Sequence, residues 1–181
     1  SKPDLTLGGV RLIDRVCGSL LEACGAGCVA VVPPTVRVPE GVVRTLEDPP
    51  NGGPLAGIDA GLRALGVDDE LLVVVVSVDV PGVAGLLPAL LGSPLGVDSE
   101  GRIAVGGDPQ PFDQYLMGVY RAGALRRVID EAVAGLGSVR GVGVRRVLRA
   151  LALERVRVDA DVCRDIDTPE DVAWWQDFLA R

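Results

Sequence analysis

The chain has 181 residues, of which 48% are hydrophobic, enough to build one globular domain around a buried core. Its 25 acidic against 18 basic residues leave a net charge of -7, which excludes the clustered cationic surface needed for nucleic acid or an anionic membrane. No histidine is present, so serine-histidine and cysteine-histidine catalysis are excluded, and any chemistry must rest on carboxylates, lysine, metal and positioning. The longest apolar run is far short of the roughly 20 residues that cross a bilayer, and no charged-then-apolar leader pattern opens the chain, which predicts a cytoplasmic protein. Cys17, Cys24, Cys28 and Cys163 form no CxxC pair and are read as buried, reduced thiols.

In chain order, Leu12, Ile13, Val16, Leu20 and Cys24 recur at three and four, which predicts an amphipathic helix over Val10 to Cys24 stopped by Gly25 and Gly27. Cys28 to Val32 and Val42 to Leu46 are short, rich in β-branched residues and bounded by Pro33-Pro34-Thr35 and Asp48-Pro49-Pro50, as two buried strands would be. Leu55, Ile58, Leu62 and Leu65 mark a helix that starts near Pro54 and stops at Gly66. The run Leu71 to Val76 then reads as a strand buried on both faces, the kind found in parallel sheets covered by helices.

Beyond Pro81, Val83 to Leu91 is read as a helix, Val97 to Ile103 as a hairpin or short excursion, and Leu116 to Tyr120 as a strand. A helix over Ala122 to Ala134 follows, then a glycine-spaced segment from Gly135 to Gly143. The helix Val144 to Leu151 carries Arg145, Arg146 and Arg149 on what is read as a solvated face. Leu153 to Val158 alternates as a strand, and Thr168-Pro169-Glu170-Asp171 opens the last helix with a cap, a first-turn proline and acids at the positive dipole end. Strands alternating with helices predict a three-layer α/β/α sandwich with a Rossmann-like, mostly parallel sheet, forming a single domain over residues 1-181.

Two motifs carry chemistry. Ser77-Val78-Asp79-Val80-Pro81 delivers a carboxylate at a strand's C-terminal end, the edge at which open α/β sheets bind ligands, and Asp79 is the leading Mg²⁺ ligand candidate. Asn51-Gly52-Gly53-Pro54-Leu55-Ala56-Gly57 is a glycine turn feeding a helix N-terminus, where backbone N-H groups can approach a ring or a phosphate. No P-loop and no GxGxxG fingerprint occurs.

Taken together, the Gly53-Pro54-Leu55-Ala56-Gly57 turn, the strand ending in Ser77-Val78-Asp79-Val80-Pro81 and the C-terminal Asp165-Ile166-Asp167-Thr168-Pro169-Glu170-Asp171 resemble the MobA-like nucleotidyltransferases. That family attaches GMP, or in a sister group CMP, to the pterin of the molybdenum cofactor. Ser1-Lys2 looks like the end of the family's Arg-Met-Gly-x-x-Lys signature, and Leu5 to Leu12 like the strand and helix start that follow it. On this resemblance the chain is expected to lack the family's first strand and its Leu-Ala-Gly-Gly loop.

The resemblance implies a nucleoside triphosphate, GTP or CTP, bound with Mg²⁺, and a molybdopterin-type terminal phosphate that attacks the α-phosphorus while pyrophosphate leaves. It implies Lys2 and Asp79 as catalytic residues, Asp79 and Asp167 as metal ligands, and Lys2, Asp48, Asn51, Gly53, Pro54, Leu55, Gly57 and Asp79 as nucleotide contacts. Such transfer needs no histidine, since alignment and charge stabilisation do most of the work. GTP is the expected donor because Asp113 to Arg121 looks like the guanylyl group's strand, although Asp165 to Asp171 is similar to the cytidylyl form. A non-catalytic nucleotide-binding domain is the rival from another class, and a monomer or small homo-oligomer is the expected state. A sugar-nucleotide transferase is disfavoured by Val78, which occupies the place of a paired carboxylate.

Overall fold

The computed structural model describes residues 1-25 and 27-181. A short 3-10 turn, Lys2–Asp4, leads into β1 (Thr6–Leu7) and β2 (Val10–Arg11), an antiparallel hairpin over Gly8-Gly9. These glycines have φ of 57° and 79°, the left-handed pair that a two-residue turn of this kind demands. The hairpin draws Val10 and Arg11 out of the predicted helix, so α1 begins at Leu12 and runs Leu12–Cys24. Gly25, at φ 73°, closes α1 by donating its N-H to the Leu21 carbonyl.

The next strands, β3 (Cys28–Val31) and β4 (Val42–Thr45), pair in parallel. β4 is an edge strand, and its Val43 is 54% exposed, so it is not the buried strand its composition suggests. α2 (Pro54–Leu65) starts on its proline and stops at Gly66 as predicted. β5 (Leu72–Val76) follows, then α3 (Val83–Leu91). The remaining elements are β6 (Gly101–Gly106), β7 (Phe112–Arg121), α4 (Ala122–Leu136), α5 (Val144–Leu148), β8 (Leu153–Arg157) and α6 (Pro169–Leu179).

Three layers result. On one face Val73, Ile103 and Tyr120 pack with Leu55, Ile58 and Leu62 of α2, Leu125 and Ile129 of α4, and Leu148 of α5. On the other face Ala104, Met117 and Val119 pack with Leu86 and Leu90 of α3, while Val74 and Val76 meet Val16 of α1 and Val83 of α3. Successive residues of each strand therefore serve opposite cores, as the period of two requires.

Within this α/β/α class the main sheet has the order β5-β7-β6-β8 and is mixed rather than mostly parallel. β7 runs antiparallel to β5 and β6, and β6 runs parallel to β8. Only residues 107-111 link β6 to β7, too short a connection for a parallel crossover. The end of the segment read as an excursion, Gly101 to Ile103, is thus the start of β6, an interior strand with partners on both sides, and β7 extends four residues upstream of the predicted strand.

β5 also departs from its expectation: Val73 is buried, but Val74 to Val76 are half-buried and Leu72 is 47% exposed. The cause is an open space beside it, described below. Three cysteines are buried as expected, whereas Cys24 at the end of α1 is exposed; all four are free. Arg145, Arg146 and Arg149 are exposed, as a solvated face requires. No helix among the described residues is long and apolar enough to cross a membrane.

Candidate active site

Asp79 lies three residues past β5, and its backbone carbonyl accepts the Ile166 N-H at 2.9 Å. That single bond fastens the C-terminal loop to the end of the strand and brings Asp167 beside Asp79. The loop is held from its other side by Asp171 in the first turn of α6. Its carboxylate accepts the backbone N-H groups of Asp167 (3.1 Å) and Thr168 (2.9 Å), and Thr168 Oγ1 accepts the Asp171 N-H in return. Arg164 adds a 2.8 Å ion pair to Asp171 and stacks over the Trp174 ring at 4.7 Å. The Thr168 hydrogen bonds, followed by Arg164, hold the Asp171 carboxyl well below the usual range, so it remains an anion.

Between the two carboxylates sits Lys2, carried by the first turn of the chain. Its Nζ lies 2.5 Å from Asp167 Oδ1 and 3.1 Å from Asp79 Oδ2. The bond to Asp167, and then that to Asp79, hold the ammonium above its ordinary value. Asp79 Oδ1 accepts from Ser77 Oγ at 2.5 Å, so both oxygens of Asp79 are engaged. Ser77 was not singled out by sequence reasoning; it stands two residues before Asp79, where the chain leaves β5 and turns.

The corner carries more negative charge than Lys2 balances. Burial first, and then the charges of Asp167, Asp79 and Asp171, push the Asp165 carboxyl upward. Two carboxylates sharing one ammonium in an acid-rich corner fit a hard dication, which prefers oxygen ligands. No group of three or more histidine, cysteine, aspartate or glutamate side chains converges on one point among the described residues. Asp79 and Asp167 would therefore supply two ligands, leaving the rest of a Mg²⁺ shell to phosphate oxygens and water.

The glycine turn forms the second part of the site. Gly53 has φ 87° and caps α2, and its carbonyl accepts the Gly57 N-H at 3.1 Å. Glu47 Oε1 accepts the Gly52 N-H at 3.1 Å, and Gly141 N-H donates to the Gly52 carbonyl at 2.8 Å. Arg140, from the glycine-spaced segment that had no assigned role, donates to the Pro49 and Pro50 carbonyls and braces the turn from outside.

Gly53, Pro54 and Gly57, with Glu47, line a cavity of about 370 Å³ that Ser77 and Val78 border from the opposite side. The glycine turn and the Asp79 segment thus meet at one opening. Asp48 and Asn51 are exposed on the turn; Asp48 faces a second depression with Arg63 and Arg140. Leu55 is fully buried in the core under α2, so its side chain packs and does not meet a ligand. Glu47 is the further residue that sequence reasoning passed over, although an acid directly before Asp48 was a visible cue.

A layered α/β fold with carboxylates and a glycine turn at the ends of its strands defines a nucleotide-handling class of enzyme. Structural comparison agrees at the level of fold. The chain superposes on 2-C-methyl-D-erythritol 4-phosphate cytidylyltransferase from Thermus thermophilus with a TM-score of 0.76 and 18% identity, covering 99% of this chain and 94% of that one. It superposes on molybdopterin-guanine dinucleotide biosynthesis protein A from Archaeoglobus fulgidus with a TM-score of 0.68 and 18% identity, over 99% and 90% of the two chains. The Francisella tularensis cytidylyltransferase gives 0.74 and 12%, over 97% and 92%. No curated protein sequence matches the chain. Residues 1-156 match the family model of the MobA-like NTP transferase domain, and the chain belongs to that family.

Proposed function

We propose that the protein transfers GMP from GTP to the terminal phosphate of a molybdopterin-type acceptor, or a comparable phosphomonoester, in a Mg²⁺-dependent reaction. The observation that carries this reading is the Lys2 ammonium bridging Asp79 and Asp167 beside the opening on which the Gly53 turn also borders. An acceptor phosphate oxygen forms a bond to the α-phosphorus, the bond from that phosphorus to the bridging oxygen breaks, and pyrophosphate leaves with the electron pair. Mg²⁺, when bound, offsets the charge that builds on the phosphate oxygens.

Each residue of the chain has a part suited to its chemistry. Asp79 and Asp167 hold the dication, Ser77 fixes the rotamer of Asp79, and Lys2 turns its point charge toward phosphate. Gly53, lacking a side chain, lets backbone N-H groups at the start of α2 approach the nucleotide. Glu47, which lines the cavity beside Gly53, offers an acceptor for the N1 and N2 hydrogens of guanine, which a carboxylate suits, while Asp48 and Asn51 stand exposed on the same turn.

Pyrophosphate release measured with GTP, CTP, ATP and UTP, each with the acceptor and with or without Mg²⁺, tests the proposal. Turnover with GTP and Mg²⁺ alone is expected. A preference for CTP would replace guanine with cytosine, and no release with any triphosphate would leave a non-catalytic nucleotide-binding domain.

A further inference from the structure

Lys2 is the one lysine of the sequence; every other residue among its 18 basic ones is arginine. The difference is chemical. A guanidinium is a planar fork that grips one carboxylate through two parallel bonds, whereas an ammonium is a compact charge on a flexible stem. Arginines of this chain behave accordingly: Arg11 meets both oxygens of Asp14, at 2.7 and 2.6 Å, and Arg155 meets both oxygens of Asp113, at 3.0 and 2.9 Å. Lys2 instead makes single contacts to two different carboxylates, 2.5 Å to Asp167 Oδ1 and 3.1 Å to Asp79 Oδ2.

The base of this side chain is fixed and its tip is not. The Lys2 carbonyl accepts the Leu5 N-H at 3.1 Å, and Leu5 packs with Leu7, Leu12, Ile166 and Trp175, so the turn sits on the loop that also carries Asp167. The Lys2 side chain is 45% exposed, and among the described residues its ammonium donates to those two carboxylates alone. Asp79 has no oxygen to spare: Oδ1 accepts from Ser77 and Oδ2 from Lys2. A dication shared by Asp79 and Asp167 must therefore take an oxygen from one of these donors. Displacing Ser77 would set the dication beside the ammonium, and like charges repel; displacing Lys2 removes that repulsion and frees an oxygen on each carboxylate.

We infer that Lys2 is a releasable counter-ion: its ammonium and a dication are alternative occupants of the Asp79-Asp167 pair, and a polyphosphate draws the ammonium away. The inference rests on the reading that this corner holds Mg²⁺ and a nucleoside triphosphate, and it adds the order in which they are accepted. A dication arriving alone must displace the ammonium with nothing to receive it. A triphosphate supplies that receiver, since its oxygens take an ammonium as well as a carboxylate does. Dication and triphosphate therefore bind as a pair, each raising the affinity of the other by the same factor. An arginine at this position would stay forked on one carboxylate, which is why the exchange calls for a lysine.

Two binding measurements test this without turnover. Mn²⁺, another cation suited to oxygen ligands, is titrated into the parent and into Lys2→Met without nucleotide, and the free ion is read by electron paramagnetic resonance. Lys2→Met is expected to bind Mn²⁺ at least about tenfold more tightly. The gap should persist in 1 M KCl, where a screening length of about 3 Å suppresses a charge that merely stands nearby. In the second measurement the parent carries lysine labelled with ¹³C at Cε, which gives one side-chain signal because the sequence has one lysine. Mg²⁺ alone should leave that signal in place, and Mg²⁺ with GTP or CTP should shift it. Equal Mn²⁺ affinity in the two proteins would overturn the inference, as would a signal that Mg²⁺ alone moves to its triphosphate-bound position. Either result leaves the transfer reading standing so long as triphosphate and Mg²⁺ still bind. Failure of both proteins to take up Mn²⁺, with a lysine signal that no triphosphate moves, would remove both.

Discussion

β6 and β3 are built from similar residues, Ile103-Ala104-Val105 in one and Val29-Ala30-Val31 in the other, yet they end in different surroundings. β6 is hydrogen-bonded to β7 and to β8, and Ile103 and Ala104 are fully buried. β3 has one partner, and its Val29 and Val31 are only half-buried. What separates them is the set of neighbours, not composition. The polar groups follow the same division. Around β6, Arg102 and Glu154 spend their hydrogen bonds on each other, on nearby backbone and on the Ser99 hydroxyl; around the seam between β3 and β5, Glu47 and Ser77 line an opening, with Asp79 bonded to Ser77 at its rim. The closed half supplies stability and the open seam supplies the site, and substitutions in the two should affect different measurements.

The sharpest break should come from Asp79→Asn. The change keeps shape and the Ser77 hydrogen bond while removing the charge offered to Lys2 and to a dication. Pyrophosphate release with Mg²⁺ is expected to fall by about 10² to 10³-fold, whereas Tm should move by no more than about 2 °C, because the group is a partly exposed ion pair. A folded variant with unchanged turnover would remove Asp79 from the site.

In the closed half the corresponding experiment is Glu154→Gln. Glu154 accepts from Gly96 N-H (2.7 Å), Ser99 Oγ (2.7 Å) and Arg102 Nε (2.8 Å), and Arg102 is only 6% exposed. Losing the charge opposite a buried guanidinium is expected to cost about 1-3 kcal/mol at neutral pH with turnover unaffected. The Gly96 N-H first, then Ser99 and Arg102, hold the Glu154 carboxyl at about 2 against an ordinary 4.5. The folded value lies below the unfolded one, so the stabilisation is complete above pH 4.5 and is lost as pH falls toward 2. Urea unfolding across that window should show a steeper acid limb in the parent than in Glu154→Gln; parallel limbs would mean that another group controls it.

The same pair explains what the sequence could and could not convey. α2 was legible to the residue, since Pro54, the stripe from Leu55 to Leu65 and Gly66 each mark a local event. β6 was not: Arg102 sits in it as a charge, and only the carbonyls of Leu90, Ser93 and Pro94, together with Glu154 on β8, make that charge tolerable inside the sheet. Those partners are distant in sequence, so a local pattern could show only an excursion. The candidate site divides similarly. Asp79 and the glycine turn stood out because strand ends and helix starts are local, but their meeting at one opening depends on the β3-β5 seam. The placing of Asp167 beside Lys2 depends on the bond from Ile166 to the Asp79 carbonyl.

The smallest expected effect probes the seam itself. In α2, Gly57 and Gly61 both face β3; a Cβ added at Gly57 would lie 3.7 Å from Val31 Cγ1, and one at Gly61 would lie 3.2 Å from Val31 Cγ2. Replacing an interior helical glycine by alanine gains up to about 1 kcal/mol from backbone entropy and propensity. At Gly57 the contact is ordinary, so Gly57→Ala should keep that gain. At Gly61 the outcome depends on whether Val31 can yield by a few tenths of an ångström, and a half-buried side chain beside an open slot has room to do so. Gly61→Ala should therefore stabilise by about 0.5 kcal/mol, roughly 1-2 °C in Tm, and adding Val31→Ala should remove the difference between the two glycine sites. If Gly61→Ala instead lowers Tm while Gly57→Ala raises it, Val31 is pinned.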